Sequence, residues 1–500
     1  MRENGPFSGR VGFWAVLLVG IFGWAPALYP GYWQGWQGFV PVYQLTAADV
    51  AAADLWRGTG PLLLAQPLLQ LGLDPVQATR TLFVLALILG GSSVYAWLGG
   101  RLGDRGAGLA GVGYMLLPLV LDTTYLRGSP GEAMLLGLAP LTLAGLAGWS
   151  ERRSPAGAAV AVLGLVWMWH TQAGLAAATT VWLACYTLFV ERDRSQLWIV
   201  LAGGAAGLAA LLPLGGNSSP PPVPFFDHFA EFYILLDLAA GWLGGPPSRQ
   251  PYQLGGVLVL TALGVGWGLS VKKLPAALSR LLWFSLGSLL VALLLALPIS
   301  APLWQLLAAD LLFTYPWQLL LAAAPFLAAL LGALPALFPE LETAAHWVAL
   351  LVLVVLGSLG ALQPDYTQVQ PAARPVALFG ERQILVIHAR LTEQPSPPSA
   401  LLEVTWQPLR TLPVDYNIFF QALTADGQKV AQLDMQPLGE AQPATQWRPG
   451  QILQNTYSLD LSAAPPGVPL TYLYGYYDWR DGTRLSLVGS NDDKLVLNGR

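Results

Sequence analysis

The chain has 500 residues, of which 54% are hydrophobic and only 11% are charged, and its formal net charge is −4. An ordinary soluble protein has about 25% charged residues, and a soluble globule cannot bury this much apolar surface because its accessible area grows too fast with mass. Repeated apolar runs of about 18 residues or more indicate a polytopic membrane protein instead. No basic tract suggests nucleic-acid binding, and the single cysteine, Cys185, excludes an intrachain disulfide.

Apolar runs divide the first three quarters of the chain into predicted membrane spans. The first run, Val11–Tyr29, contains Ala25-Pro26-Ala27, which imitates a signal-peptidase site, but its length and the spans that follow favour an uncleaved first helix. Further spans are predicted at roughly Thr81–Leu98, Ala107–Leu121, Glu132–Trp149, Ala156–Trp169, Leu175–Val190, Leu197–Leu214, Leu254–Val271, Leu281–Leu297, Leu319–Leu337 and Trp347–Leu362. The predicted fold of this part is an α-helical membrane domain of about 11 helices.

Lysine and arginine alternate between successive loops and predict the orientation. If the N-terminus is cytoplasmic, the loops on that side carry Arg101, Arg105, Arg152, Arg153, Arg192, Arg194, Lys272, Lys273 and Arg280. The opposite loops of the membrane region carry only Arg57, Arg80, Arg127 and Arg249. Because cytoplasmic loops are enriched in basic residues, we predict a cytoplasmic N-terminus. The long loops 30–77 and 215–253, and everything after residue 362, are then extracytoplasmic.

The composition changes near Pro371, where short alternating runs of polar and apolar residues begin. The stretches ALLEVTWQP, YNIFFQALTADGQKVAQLD, NTYSLDL and LTYLYGYYDWRDGTRLSLV are typical of β-strands. Asp-Gly pairs within TADGQ and WRDGT predict tight turns. Strands at this spacing favour a β-sandwich. We therefore predict a membrane domain at 1–365 and an extracytoplasmic all-β sandwich domain at 371–500.

The segment FFDHFAEFYILLDLAAGW, residues 225–242, has an apolar face and a polar face at helical spacing. This pattern predicts an amphipathic helix that lies at the outer interface. Asp227 and Glu231 share one face of that helix and are weak candidates for ligands of a divalent metal ion. The alternative is a solvated polar face.

Charged residues gather in LVLDTTYLRGSPGEAMLL, residues 119–136, on a short predicted loop between two spans. A charge at the membrane boundary costs several kcal/mol unless it is paired or faces water. One interpretation is a structural pair, in which Arg127 binds Glu132 or Asp122 and closes the hairpin. The other is a polar cleft, in which Arg127 engages a lipid-linked phosphate and a carboxylate handles a proton or a metal.

The longer stretch GYMLLPLVLDTTYLRGSPGEAMLLGLAPL resembles the hairpin of a bacterial membrane-protein family often labelled 6-pyruvoyl-tetrahydropterin synthase-related. Members of that family show Asp-x-x-Tyr-x-Arg-Gly and then a Glu, a pattern matched by Asp122, Tyr125, Arg127, Gly128 and Glu132. Nothing in the sequence supports pterin chemistry, so the label says nothing about the activity.

A second stretch, LLFTYPWQLLLAA, is similar to a family segment that usually reads Phe-Pro-Trp-Arg-Leu-Leu. Tyr315 precedes the matching Pro316 and Trp317, but Gln318 stands where an Arg is usual. The plan of spans resembles the GT-C superfamily of multi-spanning glycosyltransferases, which transfer sugars from polyprenyl-phosphate carriers outside the membrane. The C-terminal part is similar to β-sandwich modules appended to such proteins.

Sugar transfer of this kind needs a carboxylate base near the acceptor hydroxyl and a cation that stabilises the departing phosphate. GT-C enzymes usually carry an acid early in the first outer loop, but here the first carboxylates of that loop are Asp49 and Asp54, in a stretch that also reads as a short helix. The candidate catalytic carboxylates are therefore Asp54, Asp49, Asp122 and Glu132. The candidates for the donor site are Arg127, Tyr125, His170, Trp317 and Tyr315.

We predict an integral protein of the bacterial inner membrane that transfers a hexose or pentose from a polyprenyl-phosphate donor to an extracytoplasmic glycan, lipid or protein. Aromatic residues near an outer interface are also normal belt residues, and the displaced first-loop acids leave a non-catalytic protein open. The first alternative is therefore a GT-C-like scaffold or carbohydrate-binding assembly subunit of the cell envelope. The second is a lipid or polysaccharide transporter or flippase.

Overall fold

The computed structural model describes residues 10–33, 41–42, 45, 60–211, 229–236, 250–309, 312–313, 315–364, 366–367, 376–380, 383–448, 451–465, 467–487 and 492–498. The chain divides into two units. The helical unit comprises residues 1–29 and 44–364, and the C-terminal unit comprises residues 30–43 and 365–500.

The helical unit is built from α-helices joined by short turns and 3₁₀ segments. Its helices are α1 (Val11–Leu18), α2 (Ile21–Trp24), α3 (Gly60–Gln70), α4 (Pro75–Met115), α5 (Pro118–Asp122), α6 (Pro130–Arg152), α7 (Pro155–Thr171), α8 (Ala173–Tyr186), α9 (Arg194–Leu211), α10 (Phe232–Leu235), α11 (Gly256–Val271), α12 (Ala276–Ala296), α13 (Ala301–Leu306), α14 (Leu319–Gly332), α15 (Leu334–Leu337) and α16 (Ala344–Gly357).

Six helical stretches in the described part of the chain are long and apolar enough to cross a membrane. They are Val11–Leu28, Pro75–Arg127, Pro130–Arg152, Ala173–Glu191, Arg194–Leu211 and Ala276–Ala296. Shorter apolar helices lie at Pro155–Thr171, Gly256–Val271, Pro316–Gly332 and Ala344–Gly357. The prediction of a helical multi-spanning membrane protein is confirmed, whereas the total of about 11 spans stays a prediction.

Helix α4 contains the whole of the predicted span 81–98 and the first part of the predicted span 107–121. Gly103 interrupts this helix with φ of +70° and ψ of 177°, a backbone conformation that residues other than glycine rarely adopt. The helix begins with a capping box, in which Asp74 accepts a hydrogen bond from the Gln77 backbone N–H at 2.8 Å and Gln77 accepts one from the Asp74 N–H at 3.2 Å.

Apolar side chains point away from the protein along the membrane helices. On α11, Leu260 and Leu263 are each 66% exposed and Trp267 is 61% exposed. Side chains spaced three and four residues apart lie on one helix face. That face is suited to hydrocarbon rather than to water.

The loops that were predicted to be cytoplasmic contact one another. Arg101 pairs with Glu191 at 2.5 Å, and Arg153 pairs with Asp193 at 3.1 Å. Arg280 donates a hydrogen bond to the backbone carbonyl of residue 190 at 3.1 Å. The predicted alternation of loops requires this grouping at one end of the helical unit. Which end faces the cytoplasm stays a prediction.

The predicted interfacial helix 225–242 is described only at residues 229–236. There the helix is a single turn, Phe232–Leu235, because Glu231 is extended and residues 229–231 are not helical. The Ala230 backbone N–H donates to the carbonyl of Ala296 at 2.8 Å, which holds this stretch in a non-helical path against the end of α12. The prediction of a continuous helix is wrong for this part of the segment.

The C-terminal unit contains two four-stranded antiparallel sheets that share one core. The strands are β1 (Tyr32–Trp33), β2 (Tyr366–Thr367), β3 (Ala377–Phe379), β4 (Ile384–Pro395), β5 (Pro398–Pro408), β6 (Tyr416–Leu423), β7 (Lys429–Met435), β8 (Leu453–Asp460), β9 (Thr471–Asp478) and β10 (Leu495–Asn498). The sheet orders are β10-β9-β6-β7 and β3-β4-β5-β8. Val386 and Trp406 of one sheet and Ile418 and Phe420 of the other belong to the same buried cluster. The predicted β-sandwich is confirmed.

Strands β1 and β2 form a small sheet of their own, with Tyr32 opposite Thr367 and Trp33 opposite Tyr366. Residues 30–43 therefore belong to the C-terminal unit. This differs from the predicted domain boundary, which placed the whole of residues 1–365 in the membrane domain. A change in composition marks one position along the sequence. It cannot show that a strand from a distant part of the chain belongs to the later domain.

Candidate functional site at the charged hairpin

The charged hairpin is tighter than the sequence predicted. Helix α5 continues through a π-turn, Thr123–Arg127, and Gly128 ends it with φ of +64°. The Ser129 side chain accepts a hydrogen bond from the Glu132 N–H, and Pro130 occupies the first turn of α6. The loop between the two spans is therefore shorter than predicted, because left-handed Gly128 and capping Ser129 are sufficient to reverse the chain.

Arg127 and Glu132 form a bidentate ion pair across this turn. Arg127 Nε lies 2.6 Å from Glu132 Oε2, and Arg127 Nη2 lies 2.6 Å from Glu132 Oε1. The side chains are only 5% and 1% exposed. The planar guanidinium matches the carboxylate geometry, which makes such forked pairs both strong and directional.

Gln318 joins the ion pair to a distant part of the chain. Its Nε2 donates to Glu132 Oε1 at 2.5 Å, and its Oε1 accepts from the Tyr315 backbone N–H at 3.1 Å. It therefore caps its own 3₁₀ turn, Pro316–Gln318, and binds the carboxylate of α6 at the same time. The resembled family usually has an Arg at the position of Gln318. Because Gln318 is neutral, Arg127, Glu132 and Gln318 together carry one positive and one negative charge.

Two aromatic rings lie against the guanidinium. The Arg127 Cζ atom is 4.9 Å from the ring centroid of Tyr315 and 4.9 Å from that of Trp317. The two rings stack at 5.2 Å with 22° between their planes, and the Tyr252 ring lies 5.8 Å from Trp317. A desolvated cation beside aromatic rings gains further electrostatic stabilisation.

The arrangement matches the structural-pair interpretation of the hairpin. Glu132 accepts three hydrogen bonds, two from Arg127 and one from Gln318. A buried charge is tolerated when its partner and its hydrogen bonds compensate the lost hydration. An anionic ligand would have to displace Glu132 from the Nε and Nη2 edge of Arg127.

Asp122 and Tyr125, on the same hairpin, are also buried, at 1% and 2% exposure. The Tyr125 hydroxyl donates to the backbone carbonyl of Gly23 at 2.7 Å. Tyr125 therefore holds the end of the first apolar helix. Nearby, Arg80 donates to the carbonyl of Ala27 at 2.6 Å, so two side chains from later helices secure this segment.

His170 lies outside this cluster in the contacts of the described residues, whereas the Glu231 backbone hydrogen-bonds with Tyr252 at its edge. The Nδ1 atom of His170 is 3.0 Å from the carbonyl oxygen of Val166, and its ring stacks on Trp167 at 6.0 Å. Glu231 is exposed on the segment before α10.

Asp49, Asp54 and Asp227 lie outside the described residues, so their roles stay predictions. Within the described residues no group of three or more His, Cys, Asp and Glu side chains could hold a metal ion.

A small apolar cavity lies within the helical unit. Its lining includes Leu117, Pro118, Leu254, Gly255 and Leu331. Most of the remaining lining is aliphatic, with Thr261 contributing a hydroxyl.

A second polar cluster was not predicted from the sequence. Arg101 pairs with Glu191 and donates to the carbonyl of Trp97 at 3.0 Å, while the Tyr186 hydroxyl hydrogen-bonds Glu191. The Trp97 indole donates to the Tyr186 hydroxyl at 3.0 Å. These residues come from α4, the end of α8 and the π-turn Thr187–Glu191 that follows it, and the sequence offered only the basic residue as a signal.

No protein-family model matches the sequence, and no curated protein matches it. Among solved structures, the chain is similar to the arabinofuranosyltransferase AftD from mycobacteria, determined by single-particle cryo-EM. The identity is 17% and the TM-score is 0.42, and the match covers 71% of this chain and 28% of AftD. The chain thus spans less than a third of the length of that protein.

Proposed function

We propose that this chain is a membrane glycosyltransferase-like protein that transfers a sugar from a polyprenyl-phosphate donor to an acceptor outside the cytoplasm. The observation that carries the proposal is the convergence of the two stretches that resemble the membrane-protein family. Glu132 of the first stretch accepts a hydrogen bond directly from Gln318 of the second, 186 residues away. Ionisable groups buried in a membrane domain are expensive and mark functional regions by default.

The geometry assigns roles within this proposal. Glu132 is occupied by three donors, so it is poorly placed to take a proton from an acceptor hydroxyl. We therefore propose Asp54, and after it Asp49, as the catalytic base, in a position displaced from the usual place of the acid early in the first outer loop of GT-C enzymes. Arg127 acts as a positioning residue that holds the hairpin against the Tyr315 and Trp317 rings.

The test uses the full-length protein in lipid nanodiscs with a panel of polyprenyl-phosphate-linked hexoses and pentoses and isolated envelope glycans as acceptors. We expect Asp54→Asn to lower transfer by about 10²–10⁴-fold, the usual contribution of a general base, while thermal stability is unchanged. Asp49→Asn should have the smaller effect. Glu132→Gln should instead lower the yield and stability of folded protein.

Asp478→Asn in the C-terminal unit is the matched control, because it removes a carboxylate far along the chain and should leave transfer intact. Full transfer by both Asp54→Asn and Asp49→Asn would remove the first loop from the mechanism. Unchanged transfer and donor binding in folded Arg127→Ala would show that Arg127 contributes nothing to the reaction.

A second candidate function is a non-catalytic scaffold or carbohydrate-binding subunit of the envelope. The pairing of the Arg127 cation with Glu132 favours it, because the pair has no net charge. Gln318 adds no positive charge where an Arg would, and Glu132 neutralises Arg127. Binding of envelope glycans by the full chain, without turnover of any donor in the panel, would support this candidate over the first.

A further inference from the structure

Helices α7 and α9 run in the same direction and begin side by side. Just before α7, Arg153 Nη1 donates a hydrogen bond at 2.8 Å to Ser195 Oγ, in the first turn of α9. Near the other end, a Cβ atom added at Gly207 of α9 would collide with the Trp169 ring of α7. The two contacts advance in the same order along both helices, so the two N-termini lie next to each other.

Arginine residues flank both of these N-termini. Arg152 and Arg153 precede α7, Arg192 precedes α9, and Arg194 is the first residue of α9. Arg152, Arg192 and Arg194 are exposed, and their side chains form no ion pair or hydrogen bond within the part of the chain that the structure describes. Arg153 and Arg192 have φ of +46° and +57°, a left-handed backbone conformation that favours glycine. Both turns therefore keep an arginine at a conformational cost.

Three acidic side chains in the same turns offset only part of this positive charge. Asp193 pairs with Arg153 at 3.1 Å, and Glu191 pairs with the more buried Arg101 at 2.5 Å. Glu151 is exposed at the end of α6. The three exposed arginines therefore outnumber the one remaining acid, and the surface around the two N-termini has a surplus of positive charge.

The helix termini add a second preference for anions. The first N–H groups of a helix have no partner within the helix, and they form the positive end of its dipole. Ser154 Oγ accepts a hydrogen bond from the Gly157 N–H at 3.3 Å, and Asp193 Oδ1 accepts one from the Ser195 N–H at 2.9 Å. Each of these side chains caps one such group. Phosphate groups bind at helix N-termini because of these N–H groups and the dipole.

A buried amide without a partner lies at the same place. Gln196, in the first turn of α9, is 0% exposed, and neither its Oε1 nor its Nε2 has a hydrogen-bond partner among the described residues. Gln196 shares a helix face with Val200 and Gly203, and a Cβ atom at Gly203 would meet Leu165 of α7. The amide therefore lies on the side of α9 that faces α7. Buried polar groups usually have a partner, so a ligand that supplies one is favoured here.

Exposed apolar side chains continue from the arginines along α9. Trp198 and Leu201 follow Arg194 by four and seven residues, so the three side chains lie on one helix face. Trp198 is 69% exposed and Leu201 is 42% exposed. A cationic group followed by an exposed apolar stripe matches the polarity of an anionic phospholipid.

We propose that the junction of the α7 and α9 N-termini binds the phosphate of an anionic phospholipid, whose acyl chains lie along Trp198 and Leu201. Arg152, Arg192 and Arg194 hold the headgroup, because guanidinium groups bind phosphate oxygens strongly and directionally. Basic sites between membrane helices bind acidic headgroups in this way. Lipid binding is separate from sugar transfer and is measured without it.

Native mass spectrometry of the full chain in a mild detergent measures the binding. The protein is titrated with dioleoyl-phosphatidylglycerol, which is anionic, and with dioleoyl-phosphatidylcholine, which has the same acyl chains and a phosphate but no net charge. We expect phosphatidylglycerol to bind several-fold more tightly, and the preference to shrink at high salt because salt screens exposed charges. Equal affinity for the two lipids would overturn the proposal.

Arg152→Gln combined with Arg194→Gln removes one exposed charge from each turn, and neither residue has a left-handed φ. We expect the affinity for phosphatidylglycerol to fall about 10-fold or more, because each basic residue at an anionic surface contributes about 5-fold. Lys272→Gln combined with Lys273→Gln is the matched control. It removes the same charge after the C-terminus of α11, where the helix dipole disfavours anions. An equal loss of affinity in the control would overturn the assignment to the junction.

Gln196→Leu tests the junction without a change in charge. We expect this variant to bind phosphatidylglycerol several-fold more weakly, while the thermal stability of the lipid-free protein is retained or raised because an unpaired buried amide is removed. Full affinity in this variant would overturn the placement of the phosphate between the two N-termini.

Glycerol 3-phosphate distinguishes a lipid from a soluble phosphate, because it has a similar headgroup and no acyl chains. We expect millimolar glycerol 3-phosphate to leave phosphatidylglycerol bound. Displacement of the lipid at that concentration would overturn the lipid assignment and indicate a site for a soluble phosphate compound.

Discussion

The Arg127–Glu132 pair and the Arg101–Glu191 pair both place a guanidinium against a carboxylate inside the helical unit, yet they are built differently. Arg127 and Glu132 are five residues apart and 5% and 1% exposed, whereas Arg101 and Glu191 are 90 residues apart and 19% and 11% exposed. The first pair closes a hairpin between consecutive helices. The second joins helices that are distant in the sequence.

The comparison separates two properties of an ion pair. The separation of its residues in the sequence decides which elements must pack before it forms, and its burial decides how much stability is lost when one charge is removed. The local pair requires only the hairpin turn, and its link to a distant part of the chain is the hydrogen bond from Gln318, in the 3₁₀ turn before α14. The long-range pair forms only after α4 and α8 have packed. Tryptophan and tyrosine accompany both pairs, as Tyr315 with Trp317 and as Tyr186 with Trp97.

Loss of one charge from the more buried pair should have the largest effect. Glu132→Gln leaves the Arg127 cation buried without a counter-ion, which typically costs about 3–5 kcal/mol. Thermal unfolding in nanodiscs measures the loss. The double variant Arg127→Met with Glu132→Met removes both charges and should recover most of the stability; equal destabilisation by the single and double variants would show that charge burial is not the cause.

Gln318→Leu should have the next largest effect. It removes the hydrogen bond to the Glu132 carboxylate and the cap on the Tyr315 N–H, and a bond to a charged group contributes about 1.5–3 kcal/mol. Gln318→Glu is the informative partner, because a second carboxylate beside Glu132 should destabilise further. A Gln318→Leu protein as stable as the parent would mean that the contact between the two family-like stretches is incidental.

Glu191→Gln should lower the free energy of unfolding by less, on the order of 1–2 kcal/mol. The Arg101–Glu191 pair is partly exposed, so water can solvate the remaining Arg101 cation. A double-mutant cycle with Arg101→Gln isolates the coupling energy. A coupling as large as that of Arg127 with Glu132 would contradict the ranking by burial.

The smallest effect is expected at the Arg480–Asp478 pair in the C-terminal unit, where the arginine side chain is 56% exposed. Hydrogen bonds from Arg480 lower the pKa of Asp478 below its usual 3.8, and the bonds are 2.7–3.3 Å long. A carboxyl group whose folded pKa is depressed stabilises the fold above its unfolded pKa and loses that contribution as the pH falls through the folded value. The destabilisation caused by Asp478→Asn should therefore shrink below about pH 4. Denaturation followed by tryptophan fluorescence at neutral and acidic pH measures it, with exposed Glu440→Gln as the control.

Local signals in the sequence predicted the elements that depend on neighbouring residues. The Asp-Gly turns of TADGQ and WRDGT are present, with Gly427 and Gly482 at φ of +84° and +77°. The second strand expected after WRDGT is reduced to isolated bridges at Arg484 and Leu487, and β4 was not among the predicted strands. Strand pairing depends on partners elsewhere in the chain, so composition alone could not decide either case.

The candidate site was predicted in part for the same reason. Arg127 and Glu132 could be recognised as potential partners because a hairpin must bring them together. The hydrogen bond of Gln318, the rings beside Arg127 and the anchoring of Trp33 opposite Tyr366 involve separations that no local pattern encodes. Of the two interpretations of the hairpin, the structural pair describes the buried contact of Arg127 with Glu132.

By itself, the sequence determined that this protein has a helical membrane region, a β-sandwich and a charged turn between two apolar helices, because periodicity, apolar run length and turn residues act over short distances. Only the tertiary structure decided which charges are paired and buried, that Gln318 completes the pair, and that the first long loop starts in the C-terminal unit. Those outcomes depend on which distant segments displace water from one another, and that is settled when the helices and sheets pack.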